Sequence, residues 1–85
     1  MLDLNKPIKG LDGKQIGEHT LGKALSEQLA FANKGDALKL FNWAQKLYNG
    51  EALDLDKSDE NVLKDFITNN ESFTILVKAQ LLELF

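Results

Sequence analysis

At 85 residues, with 44% hydrophobic and 27% charged side chains, the chain fits one small globular domain spanning 1–85 and carries too much apolar content for wholesale disorder. It has no cysteine, which excludes disulfides, zinc–thiolate centres and thiol nucleophiles. Its net charge of -3, with scattered lysines and no arginine, argues against a duplex-binding surface, because such surfaces cluster basic side chains and use guanidinium forks on phosphate and guanine.

Residues 1–17 read as a β-hairpin or extended arm. Pro7 lacks a backbone donor, and Gly10, Gly13 and Gly17 punctuate the stretch. Asp12-Gly13 suits a tight turn with positive φ at both central positions. The arm is expected to lay Leu2, Leu4, Ile8, Leu11 and Ile16 on the helices, since two strands alone are marginal in water.

Thr20 is a natural N-cap for a first helix over 21–33, with Leu21, Ala24, Leu25, Leu29 and Ala32 forming one stripe. Asn33-Lys34-Gly35 supplies its stop. Asp36 caps a second helix over 37–49, whose apolar face combines Ala37, Leu40, Phe41, Ala44, Leu47 and Tyr48, with Trp43 on its edge. Asn49-Gly50 ends it. Residues 51–57 alternate apolar and charged, so they read as a short strand or an extended linker. If a strand forms near 52–56, the N-terminal arm is its natural mate.

Ser58 or Asp56 caps a third helix over 59–69. Asp59 and Glu60 in its first turn oppose the helix dipole, and Val62, Leu63, Phe66 and Ile67 form the inner face. Ser72 can cap a fourth helix over 73–84 that is apolar on most sides. The fold class is therefore mainly α: four short helices behind an N-terminal hairpin or arm. Phe41, Leu47, Phe66 and Leu76 are expected in the core.

The candidate chemistries are few. A calcium loop beginning at Asp54 would use Asp54, Asp56, Ser58 and Glu60, but its sixth position is Asp59 in place of glycine and its twelfth is Asp65 in place of glutamate. A solvated segment and helix cap fit these acids better. His19 is the single histidine and has no second histidine to share a metal. No motif joins it to Ser26, Ser58 or Ser72 as a nucleophile–base pair. The KGLDGKQIG stretch lacks the Gly-Lys-Ser/Thr ending of a phosphate loop, and a turn explains its glycines. Trp43 and Tyr48 lack the basic surroundings of a base-stacking platform. No catalytic residue, metal ligand or cofactor is assigned, and a non-enzymatic protein is expected.

A partner surface is expected at the end of the last helix. Ser72, Ile75, Leu76, Ala79 and Leu82 make one stripe suited to the core, whereas Thr74, Lys78, Leu81 and Phe85 line the opposite one. The second half of that outer stripe is apolar, which suits self-association or a protein partner. The competing arrangement has the N-terminal arm covering Leu81 and Phe85 through Leu2 and Leu4. The opening MLDLNKPIKG lacks the basic start and apolar run of a secretory leader. The stretch from Phe73 to Phe85 is broken by Lys78, Gln80 and Glu83 and is too short to cross a bilayer. No membrane association is expected.

Asp3-Leu4-Asn5-Lys6-Pro7-Ile8, Leu11-Asp12-Gly13-Lys14 and Thr20-Leu21-Gly22 resemble the start of a set of small bacteriophage and prophage proteins. Trp43-Ala44-Gln45-Lys46-Leu47-Tyr48-Asn49-Gly50 and Leu53-Asp54-Leu55 are similar to their middle, and Ala79-Gln80-Leu81-Leu82-Glu83-Leu84 to their close. The resemblance implies an accessory protein acting in the cytoplasm of a bacterial host, in particle assembly or on a host factor, and brings no catalytic residue with it. A nucleic-acid-linked regulator is the alternative, although the acidic connection between the second and third helices is long for a helix-turn-helix. A small calcium-binding module is the third.

Overall fold

A computed structural model describes residues 2–33 and 35–85. Among them the elements run, in chain order, β1 (Pro7–Lys9), β2 (Gln15–Thr20), α1 (Leu21–Ala30), α2 (Ala37–Tyr48), α3 (Lys57–Asn69) and α4 (Ile75–Glu83). The mainly helical fold with a small N-terminal hairpin is the one expected. Met1 and Lys34, the latter the middle of the expected stop after α1, lie outside the described residues.

β1 and β2 pair antiparallel, with Pro7 opposite Thr20 and Lys9 opposite Gln15 and an irregularity between them. The turn differs from the expected pair. Gly10 and Lys14 bracket Leu11-Asp12-Gly13, and the Gly10 carbonyl accepts from Gly13 N–H at 3.0 Å. Positive φ falls on Gly13 alone (80°), while Asp12 stays at negative φ and its carboxylate accepts from Lys14 N–H at 3.0 Å. This is a three-residue loop with a left-handed glycine at its end. The tip of the loop stands in solvent. Leu11 is 99% exposed and Ile16 50% exposed, so neither joins the core as expected.

The segment before β1 is wired in. Leu2 and Leu4 are buried. Leu2 N–H donates to the Leu53 carbonyl at 2.7 Å, and Leu53 N–H donates back at 2.8 Å. The expected mating of arm and middle segment therefore exists as a single antiparallel bridge. Further along, the carbonyls of Lys6 and Leu4 accept from the N–H groups of Leu21 and Gly22, both at 2.8 Å. These donors belong to the first turn of α1 and have no partner within the helix. The approach is close: a Cβ on Gly22 would sit 3.2 Å from the Leu4 carbonyl oxygen.

Capping follows the sequence at three helices and departs from it at one. Thr20, Asp36 and Asp56 accept from the N–H groups of Lys23, Lys39 and Asp59. At α4 the cap is Thr74, which accepts from Val77 N–H, and not Ser72. The reason is Asn70, whose side-chain oxygen accepts from both Ser72 and Phe73 N–H and holds 70–73 in a turn. After α2, Gly50 (φ 77°) donates to the Leu47 carbonyl and Glu51 to that of Lys46, the paired closure of a Schellman motif.

The core gathers Leu21, Leu25 and Leu29 of α1, Leu40, Trp43, Ala44 and Leu47 of α2, Leu63 and Ile67 of α3, and Leu81 of α4 around Leu2, Leu4 and Leu53. Leu47 is in the core as expected, and Phe66 packs against it from a partly buried position. Leu76 is half-buried, and Phe41 is 55% exposed. With Leu40 at zero on a helical wheel of ~100° per residue, buried Trp43, Leu47, Leu40 and Ala44 fall between about -60° and +40°. Exposed Ala37, Tyr48, Phe41 and Leu38 fall between about +60° and +160°. The helix is turned relative to expectation so that Trp43, its largest apolar side chain, is inside; burial is worth ~25 cal/mol per Å² of apolar surface.

A candidate protein-binding face on the first helical pair

The turning of α2 leaves a continuous apolar face on the outside of α1 and α2. Phe31, at the end of α1, is 86% exposed, and Leu38, Phe41 and Tyr48 of α2 are 83%, 55% and 60% exposed. Small residues lie between them. Ser26, Ala30 and Ala44 share a shallow depression of about 310 Å³ with Phe31, Phe41 and Tyr48. A second, of about 460 Å³, continues past Ala30 and Phe41 to Ala37 and Leu38. Among the described residues lining the two, Glu27 is the one charged side chain. Lys23 borders the face, its Nζ 5.5 Å from the centre of the Tyr48 ring, a distance at which the cation meets the ring's negative face. Ser26, the one buried polar side chain among the described residues, donates its hydroxyl to the Lys23 carbonyl at 2.7 Å.

A second electrostatic feature ties α2 to α3. Lys39 Nζ lies 2.9 Å from Asp59 Oδ1, and 5.8 Å from the Trp43 ring centre. The hydrogen bond and charge of Asp59 raise the Lys39 amine above its ordinary value of 10.5, with smaller help from Asp36 and Asp56.

The four residues expected to form a partner surface lie in different settings. Leu81 has no exposed surface and Phe85 packs against the core from a half-buried position. Lys78 is half-buried and donates to the Thr68 carbonyl, and Thr74 is spent as the cap of α4. α4 is turned from its expected orientation: Ile75 (79% exposed) and Ala79, expected inside, face out, whereas Leu76 is half-buried and Leu82 packs against the core. An apolar surround gives periodicity nothing to choose between, and the N-terminal segment decides. Leu2 and Phe85 line one small cleft, while the Gln80 amide donates to the Lys9 carbonyl and accepts from Lys9 N–H. The arm thus covers this end of α4.

The acids weighed as a calcium loop, and read instead as a solvated segment and helix cap, are dispersed in role. Asp54 is exposed, Asp56 caps α3 and Asp59 holds Lys39. Among the described residues no three His, Asp or Glu side chains gather at metal-binding distance. His19 is exposed on β2, and KGLDGKQIG forms the hairpin turn and the strand after it. Among the described residues no helix is long and apolar enough to cross a membrane.

Phe31 and Leu38 were not legible as surface features because neither falls on the stripe of its own helix. Their very lack of periodicity was the available signal. Compared with family models, with curated proteins and with solved structures, the chain matches none.

Proposed function

We propose that this chain is a non-enzymatic bacteriophage or prophage accessory protein that works in the host cytoplasm by binding another protein, in particle assembly or on a host factor. The observation that supports this reading is the outer face of α1 and α2, where four large apolar side chains, three of them aromatic, stand exposed around small-residue depressions. Aromatic anchors set beside shallow pockets characterise the energetic centres of protein interfaces. Scattered exposed leucines carry no meaning, but a contiguous apolar face on a small soluble fold does. The resemblance to phage proteins supplies the setting.

The test is a matched pair of proteins. Wild type and a Phe31→Ser/Phe41→Ser variant are used as bait in lysogenic cell extract, with thermal melting as the control for folding. A specific partner retained by wild type and lost by the equally stable variant supports the reading. Identical captures by both sink it, and retardation of DNA in a gel shift favours the regulator instead.

A further inference from the structure

On the other side of α2 lies a second groove, walled by α2 and α3 and closed by the turns at their ends, with a volume of about 780 Å³. Its floor is apolar: Leu40, Val62 (45% exposed) and half-buried Phe66. Its rim is acidic, and the acids come from three separate segments: Asp36 before α2, Asp65 on α3 and Glu71 in the turn after α3. Lys39 is the one cation among the described residues lining the groove, and its ammonium is held by Asp59 at 2.9 Å. The charge it would offer a ligand is therefore already answered, whereas among the described residues Asp65 and Glu71 enter no hydrogen bond or ion pair.

We infer that this groove docks a cationic amphipathic helix of a partner protein, its apolar side on Val62 and Phe66 and its lysines or arginines against Asp36, Asp65 and Glu71. An apolar floor with an acidic rim matches a helix whose apolar residues recur on one face and whose other face is basic. The ring of carboxylates selects the sign of the partner's polar face and speeds its approach at low salt. The groove adjoins the depression beside Leu38 at Ala32, Asn33, Gly35 and Leu40, but neither Phe31 nor Tyr48 lines it, and the inference does not depend on that face.

The probe is a synthetic helical peptide with leucines on one face and lysines on the other, titrated into the intact, isotope-labelled protein. Two control peptides replace the lysines by glutamates or the leucines by serines. The expected result is movement of the amide signals of Val62, Asp65 and Phe66, binding that weakens as salt is raised, and no binding of either control. Asp65→Asn/Glu71→Gln, changes at two exposed side chains, should keep the wild-type melting point and weaken the peptide roughly tenfold at low salt. Phe41→Ser should leave this binding unchanged. Equal binding of the glutamate or serine peptide, an unaltered affinity in the double variant, or signals moving at Phe31 and Tyr48 instead would each overturn the proposal.

Discussion

α2 and α4 both carry more apolar side chains than one buried face can hold, and they dispose of the surplus in opposite ways. At the end of α4 the surplus is covered, because the N-terminal segment reaches across and Leu2, Phe85 and Leu84 share a cleft. On α2 nothing in the described chain reaches the outer side, and Leu38, Phe41 and Tyr48 stay in solvent. The difference lies in what another segment can reach, not in the helices' own composition. A chain this short has little spare material for covering apolar surface, and the arm is spent at one end.

The comparison breaks most readily at Leu81. Truncation to alanine removes a side chain with no exposed surface and should cost ~2–5 kcal/mol. At ~4–8 °C per kcal/mol in a domain of this size, the melting point should fall by about 8 °C or more, or folding should fail. A melting curve that overlays wild type would show that the arm and α4 do not pack as described.

Gly22→Ala probes the cover itself. Alanine is favoured over glycine inside a helix by ~1 kcal/mol. Here, however, its Cβ would stand 3.2 Å from the Leu4 carbonyl oxygen, which is fixed by its bond to Gly22 N–H at 2.8 Å. Leu4 is wholly buried and has no room to retreat. The substitution should therefore destabilise by ~1 kcal/mol despite the helical preference. Chemical denaturation reads the sign directly; stabilisation would mean that the arm yields.

Phe41→Ser is the counterpart on the uncovered side. A side chain more than half exposed should cost only ~0.5 kcal/mol or less in stability. A steep loss of melting temperature would place Phe41 in a core contact and erase the contrast with α4.

The smallest effect is expected at the link between α2 and α3. Asp59 raises the Lys39 amine above its ordinary value, so whatever stability this pair lends is fully present below about pH 10.5 and is lost as pH climbs through the raised value. In Asp59→Asn the Lys39 side chain should titrate at lower pH than in wild type, as followed by NMR of its terminal methylene. Unchanged titration would mean that the pair does not persist in solution.

Much of the fold was legible. Thr20 and Asp36 announce their helices because a short polar side chain before an apolar run has one good use there, and both caps are present. The mate of the 51–57 segment was legible for a similar reason, since an alternating segment needs an edge and the arm supplies it at Leu2. What could not be read was rotation. On α2 the apolar arc is wider than the contact it makes, and on α4 it closes nearly the whole circle. The side facing inward is then set by distant partners such as Lys9, which Gln80 grips through the chain reversal of the hairpin. The candidate site suffers most from this, because it is defined by whichever apolar side chains the core leaves behind.

The grip of Gln80 on Lys9 also bears on how the molecule is made. It joins positions separated by 71 residues, and the Leu2–Leu53 bridge joins the same arm to the middle. Contacts of such long range are slow to form, because the intervening loop must close before they reward it. During synthesis at roughly 5–20 residues per second, α1 and α2 can pair as soon as they emerge, and the arm can bond to the first turn of α1 and then to Leu53, but its contacts with α4 wait until that helix arrives. The nascent chain therefore passes several seconds with the part of the core that Leu81 completes still uncovered. This is the interval in which a chaperone would meet it, and fusions that delay the release of α4 should aggregate more than those that delay the hairpin.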